Sequence, residues 1–578
     1  MNYFRSTLLF SIVLLLTACE TPTNEDSKRA KKGVGGMEYG GVFSVNEIED
    51  FRSLYPLNIT DVTGHRVGNQ IFEGLVKLDQ ESLEPVAGIA ESWKVDDSGT
   101  RYTFTLRKGV FFHDDPCFPE GKGREVKADD VKYCLDRLCQ AASDNVMFSY
   151  FTGRVKGADH YYEQSVKGKL PAGGVDGVKV LDEYTVSIEL EYPFGSFLQI
   201  MSLPACWIYP SEAVELYGQE LRAHAVGTGP FRKKVVREGE VVILERNPDY
   251  WGRDQYGNAL PYLDAIRYTF IKEKKTELME FMKGNLDMLY DPPAEDVASL
   301  KQQARIDSGL FSVQSVPAMV IQYYGFQHES ELFSNVHVRK AFNYAIDREQ
   351  IVQYALQGRG FPAHHGIVPP SFREYNTASI KGYSYSPEKA RHHMAMAGYP
   401  NGEGFPVLTL QLNYGGSVHV QVAEVIQKML EENLNLNIEL TLIPRAQHYE
   451  RVETGRALFW RDGWSADYPD PENFLNLFYG ALVPDDINQK SYINSIRYRS
   501  DDFDDLFESA LRETDQEKRM KLFQQADQVA MDDAAIIPLY YEEAVRVVQG
   551  RVQNFPINAL EYRDFSRVRF SQPATAAS

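Results

Sequence analysis

The sequence predicts an α/β protein built of at least two lobes, and three observations carry that expectation. Short runs alternating apolar and polar residues are interspersed along the chain with capped, amphipathic helical stretches. No segment recurs with a period of roughly 20 to 50 residues, so a repeat array is excluded. The chain has 578 residues, whereas single hydrophobic cores stop growing at about 250 to 300 residues, so it must divide.

From the N-terminus, one charge, Arg5, precedes an apolar stretch from Leu8 to Leu16 and then Thr17-Ala18-Cys19. That is the layout of a cleaved signal peptide over residues 1–18. The apolar run is about half the ~20 residues a membrane span needs, and Glu20, Glu25 and Asp26 follow closely. Leu16-Thr17-Ala18-Cys19 resembles a lipobox, which makes Cys19 the residue that would carry a lipid. An ordinary small-residue cleavage site with an incidental cysteine is the other reading. Residues 19–36, polar, charged and glycine-containing, are expected to form a flexible tether, with structure beginning near Met37.

The formal charge is −20. An acidic body without a sustained basic patch excludes nucleic acid and an anionic lipid surface as partners. Besides Cys19 there are Cys117, Cys134, Cys139 and Cys206. In an oxidising compartment one or two disulfides are possible, with buried free thiols as the alternative. None of the spacings is that of a C-x-x-C metal or redox pair.

Arg101 to Arg107 alternates with period two before Lys108-Gly109, as a half-buried strand does, and Thr185 to Leu190 and Val241 to Arg246 follow the same pattern. A helix is expected from Ser386 as N-cap and Pro387 at the first position, with Ala390, Met394 and Ala397 on one face and Gly398 as the stop. A helical pair is expected from Val338 to Gly358, with Asp347 capping its second member, and a further helix from Glu424 to Leu434. Core packing accounts for these apolar stripes.

Catalytic constellations are missing from the sequence: it contains no G-x-S-x-G, no H-E-x-x-H and no P-loop. No enzyme activity is expected. His364-His365 and His392-His393 are adjacent pairs whose members point apart, with no third ligand near in sequence, so neither a metal site nor a cofactor is expected.

Several segments occur in the order of one family: Ile71-Phe-Glu-Gly-Leu-Val, Ile89-Ala-Glu-Ser-Trp93, the Tyr102 to His113 strand, Lys127-Ala-Asp-Asp-Val, Val226-Gly-Thr-Gly-Pro-Phe231, Glu245-Arg-Asn-Pro-Asp-Tyr-Trp251 and Val338 to Asp347. Over nearly the whole mature chain they resemble the bacterial extracellular solute-binding proteins of family 5, which include the dipeptide- and oligopeptide-binding proteins of ABC importers. The resemblance implies a type II periplasmic-binding-protein (Venus-flytrap) fold, two lobes with an extra subdomain, the chain crossing between lobes. It places lobe I at 37–72, 200–308 and 535–572, the additional subdomain at 73–199, and lobe II at 309–534.

The stretch from Arg461 to Leu475 (Arg-Asp-Gly-Trp-Ser-Ala-Asp-Tyr-Pro-Asp-Pro-Glu-Asn-Phe-Leu) looks like the family's ligand-contacting loop. By resemblance Asp467 grips the α-amino group of a peptide, for which an ionised acceptor is the right chemistry, because an enclosed ammonium needs one. Bracing of the loop is the other role open to Asp467. Trp464 and Tyr468 would line the cleft or pack under the loop. Arg461 would meet a ligand carboxylate or carbonyl, or else an acid of its own lobe. Asp470 and Pro471 have the pattern of a helix start, so Asp470 is expected to be structural. Residues 114–126 form a longer connection than the family's usual turn, and no residue stands out for a peptide C-terminus.

The function implied is peptide capture by lobe closure and delivery to a membrane permease and ATPase complex, by a monomer held by its lipid on the periplasmic or outer face of a membrane. Relatives of this fold bind haem, opines, nickel complexes or oligosaccharides, and these are the alternatives among binding proteins. An extracellular peptidase is the alternative from another class.

Overall fold

The computed structural model describes residues 32–571 apart from 308, 373, 415–416 and 488. The expected leader and Cys19 lie outside the described residues. Residues 32–36, expected in the tether, instead fold back onto the body. Val34 donates its N–H to Asn258 Oδ1 at 2.8 Å, and its carbonyl accepts from Asn258 Nδ2 at 2.9 Å. One side-chain amide from 224 residues away satisfies both backbone groups, which composition does not reveal.

Three larger sheets organise the chain. The first runs Val42–Asn46, Ala265–Thr269, Val241–Arg246, Phe231–Arg237, its first pair parallel and the others antiparallel. The second is antiparallel, in the order Ala90–Val95, Arg101–Leu106, Thr185–Glu189, Val178–Asp182. In it Tyr102, Phe104 and Leu106 are buried while Arg101 and Thr105 face solvent, as the alternation dictates. The third has seven strands, running Met288–Tyr290, Ile536–Gln549, Phe311–Phe326, Phe459–Ser465, Leu408–Asn413, Ile438–Ile443, with Phe361–Pro362 added beside Ile536–Gln549. One large core gathers residues of the first two sheets, and two others pack on opposite faces of the third.

The helix at Pro387–Met396 has its expected punctuation: Ser386 Oγ accepts from Lys389 N at 3.4 Å, and Gly398 leaves with φ +96°. Three helices differ from expectation. The first of the pair begins at Val336, because the Asn335 side chain caps His337 N; the second is one α turn, Arg348–Gln350, followed by a π turn, Ile351–Ala355. The helix expected from Glu424 starts earlier, spanning Ser417–Leu434. Val418, Val420 and Val422 are weak helix formers by propensity, and burial of Val422 and Ala423 in the third core overrides it.

The four described cysteines carry free thiols, which removes the disulfides considered from the sequence. Cys134 Sγ lies 3.3 Å from both the carbonyl oxygen and the N–H of Tyr209. Burial, with Asp115 adjacent, pushes the Cys117 thiol up to about 12.

Asp527, on the helix Gln516–Asp532, is fully buried and has no ion pair among the described residues. It accepts from Ile367 N at 3.1 Å and from the Tyr375 hydroxyl at 2.9 Å. Burial outweighs these bonds and raises its carboxyl from 3.8 to about 6. A folded-state value above the unfolded one means that protonation favours the fold. The contribution is therefore complete below about pH 4 and is lost as pH rises through about 6, some 3 kcal/mol in all. Urea midpoints of the wild type should fall over this window relative to Asp527→Asn; parallel pH profiles would exclude Asp527 as the titrating group.

Candidate ligand cleft

Strand Phe459–Ser465 lies between Phe311–Phe326, antiparallel, and Leu408–Asn413, parallel. Alternation sends Phe459 into the third core and Trp460 into the second. Trp460 is fully buried opposite Gly325, where a Cβ would lie 2.8 Å from the indole, so only glycine fits there. Asp462 and Trp464 follow on the face of Trp460, and both line a cavity of about 1070 Å³. Asn46, Glu47, Asp50 and Asp61 line it as well. A second cavity of about 380 Å³, lined by Tyr150, Asp467, Asn473 and Tyr479, shares Trp464 and Ile493 with the first.

After the strand the chain is tied down by Ala466 N donating to Met319 O at 3.0 Å. Asn473 Oδ1 then accepts both the Trp464 indole N–H at 2.8 Å and the Asp467 N–H at 3.2 Å, which fixes the indole and the backbone of Asp467 together. Water reaches the Asp467 side chain although protein surrounds it on most sides. That enclosure raises its carboxyl above the ordinary range, against the opposing effect of Asn473. No cation pairs with Asp467 among the described residues. Asp470 is structural: it accepts from Glu472 N at 3.0 Å and holds Arg519 with two bonds of 2.8 Å.

Tyr468 is 3 % exposed and gives its hydroxyl to Glu472, whose carboxylate also faces Arg154 at 3.5 Å. It packs under the loop and contributes an edge to the smaller cavity. Arg461 lines neither cavity. Being odd in register with Trp464, it points to the side of Phe459, where it donates to Asn413 Oδ1 at 3.2 Å and to Gln322. The structure thus brings Trp464 and Asp467 to cavity walls, puts Tyr468 behind one, and turns Arg461 away. The histidine pairs meet separate partners: His364 meets Glu349, His365 the carbonyl of Ile380, and His393 the ring of His337.

Sequence reasoning missed several wall residues. Asp462 was legible, since counting by two from Trp464 reaches it. Glu47 was not: it sits between Arg66 at 2.7 Å and Arg563 at 2.6 Å, and the latter is 516 residues away. Burial alone would raise the Glu47 carboxyl, and the two guanidinium groups outweigh it and hold it low. Arg445 also lines the larger cavity, its guanidinium 5.7 Å from the centre of the Tyr449 ring and without an ion pair among the described residues.

Lobes with separate cores joined around a deep cleft define a two-lobed binding protein, and comparison with known proteins agrees. The family model for bacterial extracellular solute-binding proteins, family 5, matches residues 84–483, and the chain belongs to that family. The glutathione-binding protein GsiB of Escherichia coli O157:H7 is 28 % identical over 514 residues, 88 % of this chain and 90 % of that protein. The periplasmic oligopeptide-binding protein OppA of Salmonella typhimurium is 29 % identical over 519 residues, 88 % and 89 % of the two chains. The structure of DppA from Helicobacter pylori in complex with the peptide STSA covers 92 % of this chain and 98 % of its own, with TM-score 0.75 and 24 % identity. The oligopeptide-binding protein OppAIV from Borrelia burgdorferi gives TM-score 0.72 at 25 % identity, covering 92 % of this chain and 100 % of its own. The relatives are named as binding proteins, and no described helix is long and apolar enough to cross a membrane.

Proposed function

We propose that this chain is the peptide-capturing component of an ABC importer. It closes two lobes over a peptide with a free α-amino group and delivers it to a membrane permease and ATPase complex. It acts as a monomer held by lipid on Cys19. One observation carries the ligand class: Asp467 is an enclosed yet water-accessible carboxylate that pairs with no cation among the described residues, its backbone fixed by Asn473 in the wall of a cavity beside the main cleft. An ammonium delivered by the ligand would complete that charge pair, and charge-assisted hydrogen bonds are roughly twice as strong as neutral ones. Trp464 supplies an aromatic wall at the junction of the cavities, while Tyr468 serves as support. The names of the relatives, peptide- and glutathione-binding, favour the same ligand class, since glutathione too carries an α-ammonium.

Native mass spectra of the purified protein with di- to hexapeptides and glutathione, each offered with a free and an N-acetylated amine, test this. Free-amine ligands should be retained and acetylated ones bound at least about tenfold more weakly. Equal binding would remove the amine-clamping role, and binding of none would overturn the peptide reading. Intact mass of protein extracted from membranes, with residues 1–18 gone and diacylglycerol on Cys19, tests the anchor.

A further inference from the structure

The larger cavity is strongly acidic: nine carboxylates and four cationic side chains line it. Most of the charge there is balanced within the protein. Glu47 is held by Arg66 and Arg563, Glu277 by Lys274 at 2.9 Å, Glu453 by Lys490 at 3.4 Å, and Glu561 by Arg563 at 3.0 Å. Asp61 and Asp50 accept backbone N–H groups.

Asp462 is different. Its residue is only 8 % exposed, it lines the cavity, and it has no ion pair among the described residues. It receives the N–H of its neighbour Gly463 at 2.9 Å, with Tyr323 and Trp460 beside it. The adjacent Arg461 points to the other side of the strand and donates to Asn413 and Gln322, so its charge reaches Asp462 only from a distance. Glu542 lines the same cavity, also without an ion pair among the described residues, and receives Gln322 Nε2 at 2.7 Å. A buried carboxylate without an ion pair is costly. On the floor of a ligand cleft that cost is relieved when the ligand brings the cation.

We infer that Asp462 forms a second cation-accepting position, which takes a lysine or arginine side chain of the bound peptide. The substrate class is then peptides with a basic residue as well as a free α-amine. This rests on the peptide reading of the cleft. Asp467 takes the α-ammonium in the smaller cavity, and Asp462 takes the side-chain cation in the larger one.

Calorimetric titration of the purified protein with alanine pentapeptides tests the inference, each peptide carrying lysine or Nε-acetyl-lysine at one of positions two to five, all with a free α-amine. At one position lysine should bind about tenfold or more tighter than acetyl-lysine. Asp462→Asn should bring that ratio below about threefold while leaving the all-alanine pentapeptide within about threefold of wild type. The wild-type ratio needs no variant, and Asp462→Ser, expected to lower it as well, serves if Asp462→Asn does not fold. A wild-type ratio near one at every position overturns the inference, as does a ratio that survives in both variants. If all-alanine peptides bind and lysine adds nothing, only this inference falls; if no pentapeptide binds, the peptide reading falls with it.

Discussion

Asp467→Asn should weaken binding of a free-amine peptide by about a hundredfold or more while leaving the fold intact. The substitution keeps shape and volume, and the bonds that Asn473 Oδ1 accepts from the Trp464 indole and the Asp467 N–H, which position the loop, do not involve the carboxylate; an asparagine can still meet the Asn473 amide. It removes the charge assigned to the ligand's ammonium, and truncating half of a buried, hydrogen-bonded charge pair costs roughly 2 to 5 kcal/mol, about 30- to several thousand-fold. The ligand-free variant should be at least as stable as wild type, because an unpaired carboxylate has gone. Calorimetry with a free and an N-acetylated peptide against both proteins forms a cycle in which the loss should appear only for the free amine. A loss below about fivefold would remove Asp467 from the amine site.

Arg519→Met should have the largest effect on stability. Arg519 and Asp470 are 2 % and 3 % exposed at their side chains and joined by two 2.8 Å bonds, and Arg519 Nη2 also donates to Ser196 Oγ at 2.9 Å. The guanidinium fills the space beside Gly195, where a Cβ would come within 2.7 Å of Nε. One side chain therefore joins the loop bearing Asp467, the C-terminal helix and the segment that follows the second sheet. Its loss strands a buried carboxylate, for which about 3 to 5 kcal/mol is expected, read from urea unfolding. Neutralising both partners, as Asp470→Asn with Arg519→Met, should recover most of it. A single-variant loss under about 1 kcal/mol would show that water or local relaxation already compensates Asp470.

How far the fold and site were legible depends on how local each signal is. The strand at Arg101–Leu106 and the helix at Pro387–Met396 are written in adjacent residues, as alternation in one and as Ser386, Pro387 and Gly398 in the other, and they form where expected. The helix Ser417–Leu434 was cut short because its valines argue locally against helix and only the core they enter argues for it. In the site, the segment from Trp464 to Asn473 was legible as a unit because its contacts lie within ten residues. The roles of Arg461 and Asp462 required only the two-residue period of the strand carried across them, and that count places the acid in the cavity and the base outside it. Glu47 with Arg563, Asp470 with Arg519, and Val34 with Asn258 join residues 49 to 516 positions apart, and no spacing rule reaches such pairs.

The strands Phe311–Phe326 and Ile536–Gln549 form one long antiparallel ribbon, paired from Phe311 with Gln549 to Gly325 with Ile536. Its register breaks between Pro317 and Ile321, and Ala318 and Val320 from that break line the cleft. One end sits in the small core with Phe281 and Leu300, the other in the cores beneath Asp462. The interruption spans about 13 Å of strand, so the walls are linked by a short strap. On the proposed peptide reading, a peptide resting on one wall would meet the other as an intramolecular neighbour, at an effective concentration in the millimolar range or above. Contacts on the second wall far too weak to hold a free peptide would then suffice to keep the cleft shut.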